Sequence, residues 1–192
     1  MTRIIAGSVG GRRISTPTGR GTRPTSDRVR EAVFSRLDHL DVLTDAHVAD
    51  LYAGSGALGL EAASRGAASV LLVEHDRSAA QVVTRNAAEL GLRDVTVRRD
   101  TVERVLAGPR AGQPLDVTLV DPPYDLSEEA LAAVLARLVE GDWLAADAIV
   151  VVERSSRSPE PTWPQGLVAL DEKRYGETVL WFAEQWSPDY QI

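Results

Sequence analysis

The segment Leu119-Val120-Asp121-Pro122-Pro123-Tyr124 sets a carboxylate, two ring-locked residues and an aromatic at the end of an apolar run. Each proline fixes φ near −65° and lacks an N–H. The chain must therefore leave a central strand here as a stiff loop whose carbonyls are available as acceptors. Such a loop suits a planar group bearing an NH2. An exocyclic base amine is a poor nucleophile because its lone pair is delocalised into the ring. Acceptors on both of its hydrogens favour a pyramidal nitrogen and free that lone pair for in-line attack. Asp121 and the Pro122 carbonyl are the candidate acceptors, and Tyr124 is the candidate stacking surface. The catalysis would be positioning plus fixed electrostatics. In isolation the same residues also read as an ordinary strand-ending turn.

A second stretch supplies the donor. Gly54-Ser55-Gly56-Ala57-Leu58-Gly59 matches G-x-G-x-x-G, with Glu74 about 20 residues on. A dinucleotide enzyme sets pyrophosphate on such a turn. Here Asp50 stands four residues before it, and a carboxylate repels pyrophosphate but suits an ammonium. S-adenosylmethionine carries an ammonium and a sulfonium and has no phosphates. Glu74 can accept from both ribose hydroxyls and Asp100 from the adenine amine. Tyr52, Ser55 and Thr101 adjoin these positions and complete the expected cofactor set. His75 either covers the adenine or stands exposed with no chemical role.

Strand and helix patterns alternate around these residues. Residues 47–52, 69–73, 95–98, 115–120 and 148–153 read as buried strands. An alanine-rich helix follows the glycine turn and stops at Gly66; further helical patterns cover 78–90, 101–106 and 127–138, and Ser127 is a candidate N-cap. Segments 167–175 and 178–183, joined tightly at Gly176, read as an antiparallel pair at the sheet edge. A further helix starts after Ser26, with Val29, Val33, Phe34 and Leu37 on one face. Residues 3–15 suggest a small β-hairpin around Ser8-Val9-Gly10. This alternation is an α/β, Rossmann-like sheet with right-handed crossovers. Ligands in such sheets sit beyond the carboxyl ends of the strands. Asp50, Glu74, Asp100 and Asp121 all fall there.

The chain has 192 residues, enough for one domain with a real core. There is no cysteine, which excludes disulfides, thiolate metal sites and a thiol nucleophile such as pyrimidine C5 methylation uses. His39, His47 and His75 lack metal-ligand spacing. No long apolar run or signal-like start is seen, so a cytoplasmic location is expected. The net charge of −7 is uneven: seven arginines against Asp27 alone leave residues 1–30 at +6 and the remainder at −13. A basic arm on an acidic body suggests nucleic acid met through the arm.

Together these residues resemble a class I S-adenosylmethionine-dependent methyltransferase, and more closely the RsmD-type 16S rRNA guanine-N2 methyltransferase family. The resemblance covers nearly the whole chain. It rests on Gly10-Gly11-Arg12, Arg23-Pro24-Thr25-Ser26-Asp27-Arg28-Val29-Arg30-Glu31, the Asp50–Gly59 stretch, Asp121-Pro122-Pro123-Tyr124 and Arg174-Tyr175-Gly176-Glu177-Thr178. It implies a mostly parallel seven-stranded sheet with an antiparallel edge strand and a small N-terminal hairpin extension. Residues 1–25 would be the arm and 26–192 the methyltransferase domain. It also implies methyl transfer to N2 of a guanine in 16S-type rRNA, on an assembled small ribosomal subunit. No interface pattern stands out in the sequence, so a monomer is the default expectation. Carried over by position, Asp121, Pro122 and Tyr124 hold the flipped guanine. Asp50, Gly54, Gly56, Glu74 and Asp100 line the cofactor site, with Arg23 and Thr25 near its methionine end. Arg12, Arg13, Arg28 and Arg30 are the expected phosphate contacts. An adenine-N6 nucleic-acid methyltransferase shares the Asp-Pro-Pro-Tyr loop but usually carries a recognition domain. A glutamine-amide protein methyltransferase typically has Asn where this chain has Asp121.

Overall fold

Apolar residues alternate between the two faces of each central strand, so the sheet must be covered on both sides. The computed structural model describes residues 2–17 and 26–186. After a short arm with β1 (Thr2–Arg3) and β2 (Arg13–Ile14) come α1 (Asp27–His39), β3 (His47–Leu51), α2 (Ala57–Ser64), β4 (Ser69–Val73) and α3 (Arg77–Leu90). Then follow β5 (Val95–Arg98), α4 (Val102–Ala107), β6 (Leu115–Val120), α5 (Glu128–Glu140), β7 (Leu144–Ser155), β8 (Leu167–Tyr175) and β9 (Thr178–Gln185). Seven strands form one sheet in the order β5-β4-β3-β6-β7-β9-β8. The first five are parallel, and β9 runs antiparallel to both β7 and β8. The reversed strand therefore lies one in from the edge, where the tight turn at Gly176 returns it beside β7.

Each face has its own core. Val48, Val117, Leu119, Val151 and Phe182 pack under α1, α2 and α3, while Ala49, Leu51, Val120, Val152 and Trp181 pack under α4 and α5. The chain builds β3-β4-β5 outward, then jumps back to set β6 against the other side of β3. That reversal leaves a crevice at the carboxyl ends of β3 and β6. Local chemistry fixes the helix starts above it: Ser26, Asp76, Thr101 and Ser127 cap α1, α3, α4 and α5 through side-chain oxygens.

The arm is docked by buried polar side chains. Glu61, fully buried in α2, accepts from the Ile5 and Ala6 N–H groups at 2.6 and 3.0 Å and pairs with Arg65. Ser64 donates to Ala6 O and accepts from Val9 N. Gly7 makes the approach possible. Its φ is +80°, and a Cβ there would lie 1.9 Å from Ser64 O. Within the arm, Ile4 N donates to Arg12 O at 2.9 Å and Gly11 N to Ile4 O at 2.8 Å, while Ile5, Ala6, Ser8 and Val9 turn their N–H groups to α2. Among the described residues, no helix is long and apolar enough to cross a membrane.

Candidate active site

Asp50, one residue before the end of β3, is 1 % exposed. Its Oδ2 accepts from the Gly59 N–H at 2.8 Å, while Oδ1 is buried without a partner. Burial pushes its carboxyl up to about 8, against the Gly59 hydrogen bond, and the charges of Asp121 and Glu74 push the same way. A side chain at Gly59 would force its neighbours to shift. A Cβ there would sit 2.2 Å from Leu72 Cδ2 and 3.0 Å from Asp50 Cβ.

Between Asp50 and Gly59 the backbone takes an unusual path. Tyr52, Gly54 and Gly56 have φ of 69°, 56° and 80°. A non-glycine residue in this region costs about 1–3 kcal/mol and marks sites where function requires the geometry. The turn is held from both sides: Ala53 N donates to Val73 O at 2.9 Å and Gly54 N to Glu74 Oε2 at 2.9 Å. Glu74 is buried, and its Oε1 accepts from Asp76 N at 2.7 Å and faces His75 Nδ1 at 3.2 Å. The His75 ring is otherwise largely exposed. Asp100 Oδ1 accepts from Thr101 N at 2.9 Å, and Thr101 caps α4. Burial and the nearby Glu103 carboxylate hold the Tyr52 phenol neutral by pushing it up.

Asp121 follows β6 directly. The Leu51–Val120 pairing sets it beside Tyr52, across from the glycine turn. Pro122 is buried, while Pro123 is exposed and Tyr124 is 64 % exposed. An exposed ring at the mouth of a crevice is available for stacking. The loop's exit is pinned, because Leu126 N donates to Pro123 O at 3.0 Å. Arg154, at the end of β7 and 5 % exposed, donates to Leu126 O at 3.0 Å and pairs with Glu128. One sheet edge thus gathers an orphaned buried carboxyl oxygen, a cradle of left-handed backbone and the carboxylates of Glu74 and Asp121. This donor set fits the ammonium and ribose of S-adenosylmethionine, and the carboxylates beside the glycine turn would repel a pyrophosphate.

The sequence-expected residues divide accordingly. Asp50, Tyr52, Gly54, Ser55, Gly56, Glu74, His75, Asp100, Thr101, Asp121, Pro122 and Tyr124 all lie along this edge. Arg23 and Thr25 lie outside the described residues. Arg30 is a correction: it is fully buried, with Nη2 bonded to Arg3 O and Asp27 Oδ1 at 2.7 Å each. It ties α1 to the arm and cannot meet a phosphate from there. Arg12 spends two donors on the end of α3, at Glu89 O (2.5 Å) and Leu90 O (3.2 Å). Arg13 is exposed, and Arg28 lies over the Tyr175 ring at 5.9 Å. Sequence reasoning missed Asn86 and Arg154. Asn86 had a signal: it continues the apolar stripe of Ala79, Val83 and Leu90 on α3, where a polar amide must have partners.

This sheet order, with a glycine turn after the first parallel strand and an Asp-Pro-Pro-Tyr loop after the neighbouring one, defines a class I methyltransferase. A family model described as "Conserved hypothetical protein 95" matches residues 2–184. "Ribosomal RNA small subunit methyltransferase D" of Escherichia coli (strain K12) is 38 % identical over 179 residues, covering 92 % of this chain and 86 % of the relative. The Haemophilus influenzae protein of the same name is 34 % identical over 178 residues, covering 91 % and 89 %. The solved structure of Escherichia coli yhhF superposes with a TM-score of 0.83 at 37 % identity, covering 96 % of this chain and 97 % of that one. The chain belongs to this family, the RsmD-type methyltransferases.

Proposed function

We propose that the chain transfers a methyl group from S-adenosylmethionine to the exocyclic N2 of a guanine in small-subunit ribosomal RNA. It does so as a monomer in the cytoplasm, on an assembled subunit. The observation that carries this reading is the meeting of the glycine turn and the Asp121–Tyr124 loop on adjacent strands at the sheet reversal. The names of the relatives supply the ribosomal substrate.

When bound, S-adenosylmethionine supplies an electrophilic methyl on a sulfonium. Asp50 would hold its ammonium, Glu74 its ribose, and Asp100 with Thr101 its adenine. Tyr52, Ser55 and His75 would border these groups, and Arg23 and Thr25 would serve the methionine end. The target guanine must leave its stack, at a cost of roughly a few kcal/mol. Stacking on Tyr124 offsets about 1–3 kcal/mol of that. Asp121 and the Pro122 carbonyl accept the two N2 hydrogens and hold the nitrogen pyramidal. After transfer, the surplus proton leaves through Asp121 to solvent. Arg13 and Arg28 contact phosphates, which set position rather than sequence choice.

The test is transfer of labelled methyl to four acceptors in parallel: small subunits lacking the modification, protein-free rRNA, duplex DNA and a protein extract. Label in N2-methylguanosine, strongest on the subunits, is expected. Label in adenine or in protein would overturn the substrate, and no transfer at all would overturn the activity.

A further inference from the structure

Asn86 is 1 % exposed in the middle of α3, and its amide is fully engaged. Its Nδ2 donates to Ser15 O at 2.9 Å and to Ser55 O at 3.0 Å, and its Oδ1 accepts from Ser15 N at 2.9 Å. Ser15 ends the arm. Ser55 is the centre of the glycine turn. One side chain therefore bridges two segments that are 40 residues apart in sequence.

The Ser55 contact falls on a backbone unit able to adopt two states. The peptide joining Ser55 to Gly56 has left-handed Gly56 on one side, with left-handed Gly54 one residue further back. The glycine side of such a peptide turns at low steric cost. Here the plane is fixed at both ends: Gly56 N donates to Ala53 O at 2.7 Å and Ser55 O accepts from Asn86. Without Asn86, one end is released. On the other side, Asn86 pairs with Ser15 as a neighbouring strand would, taking both its N–H and its C=O. Arg13, exposed two residues earlier, and Arg12, tied to the end of α3, make the arm a rigid strip across that helix.

Given the proposed function, we infer that Asn86 is a positioning residue that makes arm and cofactor turn one unit. RNA held by the arm secures Ser15. Ser15 orients the Asn86 amide, and the amide fixes the Ser55–Gly56 plane against which the cofactor binds. Cofactor and RNA therefore strengthen each other's binding by the same factor, as linkage requires.

The experiment measures equilibrium binding of S-adenosylhomocysteine, the non-reacting product, to the full chain with and without saturating unmodified small subunits. It compares the wild type with Asn86→Ala and Asn86→Asp, the latter keeping the acceptor for Ser15 N while losing both donors. Ser15→Pro removes the N–H from which Asn86 Oδ1 accepts and keeps the Ser15 carbonyl, and tests the same joint from the arm if the Asn86 variants do not fold. In the wild type, subunits should tighten S-adenosylhomocysteine binding about five- to tenfold. In the variants the ratio should fall below about twofold, with cooperative unfolding preserved. A wild-type ratio near one, or folded variants that keep the wild-type ratio, would overturn the inference. Wild type that binds no S-adenosylhomocysteine overturns the proposed function itself, and the first titration shows this separately. A purely structural Asn86 would alter stability and leave the ratio untouched.

Discussion

Asp50 carries a tension between folding and binding. Its carboxyl is raised to about 8 in the folded protein from 3.8, so the folded chain retains a proton that the unfolded chain releases. Its contribution to stability is complete below pH 4, declines by up to about 1.4 kcal/mol per pH unit as pH rises towards 8, and then levels. Asp50→Asn should flatten that slope and raise stability to urea at pH 7.5. A bound ammonium favours the ionised form, so cofactor binding should expel the proton. Calorimetry at pH 7 in buffers of different ionisation enthalpy should find close to one proton released per S-adenosylhomocysteine. Affinity should rise from pH 6 to 7.5, and Asp50→Asn should lose both effects. At the other half of the site, Asp121→Ala should lower kcat by at least about a hundredfold, the scale of one lost transition-state acceptor. S-adenosylhomocysteine affinity should stay within about threefold. These acidic positions were legible in the sequence because each falls at the end of an apolar strand run. The burial of Arg30 was not, since its partners are a backbone carbonyl in another segment and a side chain that the charge count treats as solvated.

Elements were legible wherever both faces are buried, because such strands are short apolar runs bounded by turn residues. The differences have local causes. Strand β7 starts at Leu144 rather than Ala148 because its pairing with β6 shifts between Leu115 and Val117. Asp147, with φ of 60°, lets the extra residues bulge, and no apolar pattern marks such a segment. Close approach of elements is harder to read than their existence. Gly59 is the third glycine of the motif, and its contact with Leu72 belongs to the packing of α2 on β4. Gly59→Ala should therefore destabilise the fold by about 1–3 kcal/mol in denaturant titration, the usual cost of overpacking. It should also weaken cofactor binding by displacing Asp50. If stability falls while affinity is unchanged, the two roles are separable.

Across the whole molecule, charge is split between a basic arm and an acidic body. On the proposed function the arm holds RNA, and such contacts weaken with salt through counterion release. Arg13→Glu with Arg28→Glu should lower RNA affinity and reduce the slope of log affinity against log salt by about two, while unfolding stays near wild type. The docking of that arm also dictates an order of assembly. Ile5 bonds to Glu61 across 56 positions and Ser15 to Asn86 across 71. The amino-terminal strip leaves the ribosome first, yet at 5–20 residues per second it waits roughly 4–14 s before the helix that receives it has even been synthesised. Until then its arginines are loose on a nascent chain beside ribosomal RNA, and the acidic body that later restrains them is still being made.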